Sequence, residues 1–243
     1  MKGRFIIIDG PDGSGKTNIM YGLAAYLRKQ GKKVFDLKDY WRHSRSLPEP
    51  EDLYMYDVVL SAEPTFSLVG GAIRDELIRT NKRYYSTLAI ATAFSLDRLI
   101  LYKRIIIPLL EKGKTVIQDR SFTTSIVYQP ILYPPIQAEA LPLKKVMDLE
   151  GNQLALKHRP DLLLILDVSP EKCIERIAKR PKKDYTVFEE LKIQRTAYNR
   201  FMSKWFRDMF LKRGSKVAYL DAGKSRQVAI NQAIRIYENL VKK

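Results

Sequence analysis

The sequence predicts an α/β protein: a parallel sheet covered by helices on both faces. Three observations carry that reading. Short apolar runs at Arg4–Asp9, Thr115–Gln118 and Asp161–Asp167 are continuous, as strands buried on both faces are, and lack the alternation of a sheet with one wet face. Segments with apolar residues at helical spacing separate these runs. The first run ends in a glycine-rich turn that opens straight into a helical segment, so strand, loop and helix follow one another.

Each element has its own signal. Arg4–Asp9 is apolar and β-branched and reads as a strand. Gly15–Gln30 places Ile19, Leu23, Tyr26 and Leu27 at helical spacing before Gly31 closes the helix. Lys33–Leu37 predicts a second strand. From Asp39 to Glu63 the chain holds Pro48, Pro50, many aromatic and acidic residues and no clean period, which predicts a loop with at most one short helix. Residues 38–60 are accordingly expected to be an insertion that can be shortened without unfolding, because loop-closure entropy grows slowly with length. Val69–Thr80 and Thr87–Lys112 predict helices, the second kinked or divided by Pro108. Thr115–Gln118 is a strand ending at Asp119, and the proline-rich stretch Pro130–Pro142 is expected to be irregular. A helix around Leu143–Gly151 leads to the most apolar strand, Asp161–Asp167. Pro170–Lys179 follows as a helix with proline in its first turn, a favoured place for it. Beyond the basic segment Arg180–Tyr185, Val187–Arg213 predicts one long helix, Val217–Leu220 the last strand and Ser225–Val241 the last helix. No repeat or composition break divides the chain, so residues 1–243 are expected to form a single domain.

Composition narrows the function classes. With 43 Lys+Arg against 27 Asp+Glu among 243 residues the net charge is +16, while 45% hydrophobic and 29% charged residues match a globular chain. The longest apolar runs fall far short of the roughly 20 residues a membrane helix needs, and the run after Lys2 and Arg4 is too short for a secretory leader. Cys173 has no second cysteine to pair with, and His43 and His158 lack metal-ligand spacing. The expectation is a cytoplasmic protein without membrane partner or structural zinc. The basic residues are scattered, with no aromatic-interleaved stripe, and predict a solvated surface plus some phosphate ligands rather than a nucleic-acid-binding face.

The strongest motif is Gly10-Pro11-Asp12-Gly13-Ser14-Gly15-Lys16-Thr17, which fits G-x-x-x-x-G-K-[ST] between a strand and a helix. Such a loop turns backbone N–H groups onto phosphate oxygens at a helix N-terminus. Gly10, Asp12, Gly13, Ser14, Gly15, Lys16 and Thr17 are therefore expected to bind ATP, with Lys16 on the β- and γ-phosphates and Thr17 on Mg²⁺. Asp119 at the end of its strand predicts a second magnesium-side oxygen, and Arg120 a phosphate-side guanidinium.

With these pieces in place, the chain resembles the thymidylate kinase family of P-loop nucleoside-monophosphate kinases over nearly its whole length. The matching stretches are Phe5–Thr17, Glu63-Pro64 with Arg74 downstream, Phe94-Ser-Leu-Asp-Arg98, Asp119-Arg120 with Thr124-Ser125 and Tyr128-Gln129, Pro160–Asp167, and Arg176 to Arg180. The resemblance implies a P-loop kinase fold and a homodimer, with helices such as Thr87–Lys112 at its interface. It implies that Phe94 stacks on the acceptor base and that Arg98, on the same helix face, hydrogen-bonds it. Asp12 is similar to the carboxylate near the acceptor sugar and Glu63 to its acidic partner, while Tyr128 and Gln129 match a pair near sugar and base. Arg74, Arg120 and Thr124 are implied to complete the acceptor site. Residues 180–186, with Arg180, Lys182 and Lys183, are implied to be a cationic lid, so Lys16, Asp119, Arg120 and Arg180 form the implied catalytic set.

The implied reaction moves the γ-phosphoryl of Mg-ATP to a deoxynucleoside monophosphate, dTMP foremost. Two other readings stay open on the sequence: a deoxynucleoside kinase with Glu63 or Asp9 as base, and an inactive P-loop protein that binds nucleic acid. Three departures from the family pattern stand out: Ala62 where an arginine precedes Glu-Pro, Asn18 after Lys-Thr, and the long Lys38–Leu60 stretch, whose Trp41, Arg42, His43 and Arg45 have no counterpart.

Overall fold

The computed structural model describes residues 3–131, 140–179 and 190–241. Six strands, β1 (Arg4–Asp9), β2 (Val34–Asp36), β3 (Val58–Ala62), β4 (Thr115–Asp119), β5 (Leu162–Asp167) and β6 (Lys216–Asp221), form one sheet in the order β2-β3-β4-β1-β5-β6. Every pairing is parallel. Alternate residues of β1 feed the two cores: Phe5 and Ile7 face one cluster, Ile6 and Ile8 the other, and all four are fully buried. The chain runs from β4 on one side of β1 to β5 on the other, so the order reverses at β1. In open parallel sheets that is where ligands gather, beyond the carboxyl ends of the strands.

Helix α1 (Lys16–Lys29) packs against the second core with α10 (Pro170–Ala178) and α13 (Arg226–Val241). On the opposite face, the first core takes buried residues from α2 (Leu37–His43), α3 (Pro50–Leu53), α5 (Thr87–Leu101), α6 (Ile107–Glu111), α7 (Phe122–Tyr128), α8 (Leu143–Asp148) and α9 (Glu150–Lys157). The helices α11 (Leu191–Phe201) and α12 (Lys204–Leu211) join that face too, while α4 (Leu68–Ala72) runs into a π turn at Ile73–Leu77. Pro108 acts as a divider. It has no N–H to return to the carbonyl of Arg104, and the turn before it, Tyr102–Ile106, widens to π pitch before α6 begins.

Two expectations need correction. The stretch read as a loop with at most one short helix contains α2, α3 and β3, and every residue of β3 is buried between β2 and β4. Pro48, Pro50 and the acidic residues obscured a short strand whose apolar run, Val58-Val59-Leu60, is only three residues long. The predicted long helix from Val187 breaks after Phe201: Ser203 Oγ donates to the Arg200 carbonyl at 2.6 Å and its side chain caps α12 by accepting from Phe206 N–H. The break has a packing reason. Phe201 and Phe206, five residues apart, would diverge on one continuous helix, yet their rings meet edge-on at 5.4 Å in the same core. The predicted lid, including Arg180, and most of Pro130–Pro142 lie outside the described residues.

One buried polar knot ties the site walls together. Arg98 on α5 is 1% exposed, and its Nε donates to Glu63 Oε2 at 2.8 Å, just beyond β3. Its other nitrogens donate to Asn152 Oδ1 on α9 and to Ser125 Oγ on α7, the latter at 3.0 Å. Gly151 makes the α9 contact possible, since a Cβ there would stand 1.9 Å from the Ser95 carbonyl of α5. Burial pushes the Glu63 carboxyl up to about 7, against the opposing pull of Arg98 and with a further push from Asp97.

Two outcomes follow. Replacing residues 38–57 by a short turn removes Trp41, Leu47 and Leu53 from the core. At about 1.5–3 kcal/mol each, that loss rivals a typical net stability of about 5–15 kcal/mol. The shortened chain should therefore be unfolded or marginal in a urea titration followed by circular dichroism, and a wild-type midpoint would show the segment to be dispensable. Arg98→Met should cost about 3–5 kcal/mol by leaving a buried carboxylate unpaired. The loss should be greater at pH 8 than at pH 5. A Glu63 whose folded pKa lies above its unfolded value stabilises the fold below the unfolded value and loses that contribution as pH rises through the folded one. Equal losses at both pH values would mean that Glu63 is not the group left stranded.

Candidate active site

A cavity of about 690 Å³ opens over the carboxyl ends of β1, β3 and β4. Its floor is the loop from Gly10 to Thr17. Gly13 has φ +81°, and a Cβ on it would sit 2.4 Å from the Cys173 carbonyl of α10, so no other residue lets the loop pass this close to the helix. Lys16, almost fully buried, donates from Nζ to the Gly10 and Pro11 carbonyls at 2.9 and 2.8 Å, which holds its ammonium along the loop. Thr17 Oγ1 donates to Asp119 Oδ2 at 2.5 Å, joining the first residues of α1 to the end of β4. Thr17 and Asp119, each expected from sequence on the magnesium side, are hydrogen-bonded to one another here.

Around the loop, charges are arranged in opposing pairs. Lys38 Nζ lies 3.1 Å from Asp119 Oδ2. Burial alone would raise the Asp119 carboxyl, but Lys38, Lys16 and the Thr17 hydroxyl outweigh it and hold the carboxyl below its ordinary value, so it is ionised at neutral pH. Arg120 pairs with Asp12 and stands 3.8 Å from Asp9. It has φ +66°, in the left-handed region that a side chain strains to occupy, and its N–H donates to the Ile8 carbonyl at 2.9 Å. Such strain concentrates where a side chain must be aimed. Asp9 is itself fully buried and accepts from Gly10 N–H and the hydroxyls of Thr123 and Thr124. That hydrogen-bonded seat suits an anchor for the loop, not a base facing substrate.

The far wall carries the expected acceptor residues. Phe94 lines the cavity half-buried and does not belong to either core, so it is available to a ligand face. Arg74 lies 3.7 Å over the Phe66 ring and donates from Nε to the Pro64 and Thr65 carbonyls, with Phe66 itself on the wall. The Tyr128 hydroxyl accepts from Asp12 N–H at 3.2 Å and donates to Gln194 Oε1, and burial pushes its phenol up. Gln129 donates to Ser125 Oγ, while its Oε1 is buried without a partner among the described residues, as is Ser14 Oγ in the loop. Both residues line the cavity, so both atoms are candidates for a ligand donor.

The resemblance implied that Arg98 touches the acceptor base; here it is 1% exposed, is not among the residues that line the cavity, and its guanidinium is held by Glu63, Asn152 and Ser125. A buried guanidinium must satisfy its donors locally, and here it orients wall residues. Three other residues were not singled out from sequence. Lys38 has no motif around it. Arg176, which donates to the Ser14 and Ala222 carbonyls, appeared only as part of a matching stretch. Gln194 on α11 accepts from Asp12 N–H at 3.0 Å across 182 positions of chain, and no local pattern signals such a contact.

Hard oxygen donors at Thr17 and Asp119 suit Mg²⁺, which keeps several waters and is usually held by one or two carboxylates together with substrate phosphates. No group of three or more His, Cys, Asp or Glu is placed to hold a metal among the described residues. Among the described residues no helix is long and apolar enough to cross a membrane.

Known proteins match this arrangement along the chain. The family described as Thymidylate kinase matches residues 50–211. "Thymidylate kinase" of Caldicellulosiruptor saccharolyticus is 28% identical over 245 residues, covering 100% of both chains. "Probable thymidylate kinase" of Pyrococcus abyssi is 32% identical over 183 residues, 74% of this chain and 72% of that one. Its counterpart in Pyrococcus horikoshii is 33% identical over 185 residues, again 74% and 72%. A phosphate loop at the strand-order reversal, an acidic strand end beside it and an aromatic-lined wall opposite agree with these matches, and on them the chain belongs to the thymidylate kinase family.

Proposed function

We propose that this protein transfers the γ-phosphoryl group of ATP to the 5′-phosphate of dTMP, giving dTDP and ADP. The observation that carries this reading is the single cavity in which the phosphate loop faces a wall bearing Phe94, Tyr128 and Gln129. One cavity joins a nucleotide-phosphate site to a slot with an aromatic face and polar ends.

The chemistry asks little of a base. A phosphate monoester has a second pKa near ~6, so the acceptor is largely a dianion at pH 7 and its oxygen attacks the γ-phosphorus directly. The bond from the γ-phosphorus to ADP breaks as the new P–O bond forms, and no proton need be removed. What remains is to bring two anions together and spread the developing charge. Lys16 and the N–H groups of the loop bind the ATP phosphates. Arg120, aimed by its strained backbone, lies between the loop and the acceptor, and Arg74 is a second acceptor-side cation. Phe94 stacks on the base; Tyr128, Gln129, Thr124, Asp12 and Glu63 line the path of sugar and base. Arg98 positions Glu63 and, through Ser125, Gln129. Thr17 and Asp119 would hold Mg²⁺, which when bound neutralises phosphate charge. Arg180, Lys182 and Lys183, outside the described residues, as further phosphate-side cations, a homodimer through the face of α5 that exposes Leu88 and Leu96, and a cytoplasmic location complete the reading.

Release of ADP against a panel of nucleosides and nucleoside monophosphates tests it. dTMP should be the best acceptor and thymidine a poor one, with Lys16→Met lowering kcat on the order of 10²–10³-fold in a protein that melts normally. Efficient phosphorylation of thymidine, with dTMP accumulating as product, would replace this reading by a nucleoside kinase. Phe94→Ala should raise the dTMP KM by roughly 5- to 150-fold, the scale of one base stacked on an aromatic ring, and leave the KM for ATP within about twofold. Unchanged dTMP kinetics would put the base elsewhere.

A further inference from the structure

The cavity is a place built for anions, with six basic and three acidic side chains on its wall among the described residues. The cations differ in how they are held. Lys16, Arg74 and Arg176 each donate to main-chain carbonyls, which fixes them to the loops they come from. Arg120 is forked between two carboxylates of the phosphate-loop segment. Lys38 comes from beyond β2 at one edge of the sheet, and Arg226, the first residue of α13, from beyond β6 at the other; of the two, Lys38 is the one paired with the carboxylate at the end of β4.

Its route is informative. Lys38 follows β2, which pairs with β3, and β3 in turn pairs with β4. Its ammonium nevertheless meets Asp119 at the end of β4, so the side chain bridges the carboxyl end of β3. The residue there is Ala62, which stands opposite Asp119 in the β3–β4 register and lines the same cavity. A methyl group leaves the space over the strand end to the lysine, whereas a long side chain at 62 would compete for it. The base of the lysine is also fixed: its backbone N–H donates to Asp36 Oδ1 at 2.9 Å, the cap of α2, so the flexible part is the stem. The lysine is thus anchored at its backbone, and its ammonium, beside Asp119, is partly exposed in a residue that lines the cavity together with the neutral Ala62.

Resting on the kinase reading above, we infer that Lys38 is an acceptor-phosphate ligand, supplying from beyond β2 the positive charge that Ala62 does not. The residue distinguishes a phosphorylated acceptor from an unphosphorylated one. Its contact with Asp119 is the resting position of the ammonium, and a phosphate entering over Ala62 takes the ammonium as its partner.

The test compares wild type, Lys38→Met and Lys38→Arg. Three quantities are measured: equilibrium binding of dTMP to protein free of ATP and divalent metal, competition by thymidine for that site, and steady-state KM values for dTMP and ATP. Lys38→Met should weaken dTMP binding roughly 10- to 150-fold, the scale of one charge-assisted contact to phosphate. Thymidine affinity and the KM for ATP should change by no more than about twofold, and Lys38→Arg should recover most of the dTMP affinity. Equal weakening of dTMP and thymidine would make Lys38 a structural residue and overturn the inference. So would unchanged dTMP binding accompanied by a fall in kcat alone, which would confine the lysine to neutralising Asp119. A wild type that binds and phosphorylates dTMP while Lys38→Met behaves identically overturns the inference alone, whereas a wild type with no activity on dTMP removes the kinase reading and the inference with it.

Discussion

Everything at the cavity depends on β1 having no wet face. A strand buried on both sides by Phe5, Ile6, Ile7 and Ile8 must have all its backbone groups paired, and its neighbours β4 and β5 both run parallel to it. Parallel pairing brings the carboxyl ends of adjacent strands to one edge of the sheet. The phosphate loop leaves β1 there, Asp119 and Arg120 leave β4 there, and Glu63 leaves β3 there. Residues separated by more than a hundred positions are neighbours because the strands that carry them pair in parallel and end at one edge.

Against that edge, two carboxylates take opposite characters from their surroundings. Asp119 is held below its ordinary value because Lys38, Lys16 and Thr17 outweigh its burial. Glu63 is pushed up because its burial is deeper in effect than the help it receives from Arg98 and Gln118. The first therefore suits a permanent charge facing a metal and phosphates, while the second is a member of a packed polar knot whose charge is costly. The same knot sets the wall: Arg98 joins α5, α7 and α9, so the helices that bear Phe94, Tyr128 and Gln129 are fixed relative to β3.

The stretch after β2 shows how the sheet edge acquires a share in the site. Residues 37–57 fold as α2 and α3, bury Trp41, Leu47 and Leu53 in the first core, and are strapped to the helical face by Arg104, which donates to the Leu47 and Pro48 carbonyls. An edge strand and its helices would ordinarily cap the sheet and no more. Here they also carry one cation across the end of β3 to Asp119.

How much was legible beforehand follows from which interactions are local. β1, β4, β5 and β6, the helices α1, α10 and α13, and the loop from Gly10 to Thr17 could be read directly, because continuous apolar runs, 3.6-residue periodicity and a motif bound to a strand–helix junction are all properties of contiguous chain. Thr17 and Asp119 were each singled out from a local signal, and Phe94 and Tyr128 from the family resemblance; all four line the one cavity. β3 was not read, since its apolar run is only Val58-Val59-Leu60 before Ser61 and lies in a stretch rich in proline, aromatic and acidic residues. The break between α11 and α12 was hidden for another reason: the aromatic residues on both sides look helical until they must share one core. The sequence by itself determined the sheet type, the phosphate loop and the kind of residue at each strand end, for these depend on neighbours within a few positions. Only the tertiary structure decided that Arg98 lies behind the wall, that Gln194 meets Asp12 and that Lys38 reaches Asp119, because a buried charge takes whatever partner the packing brings within reach, and that partner is set by the fold and not by distance along the chain.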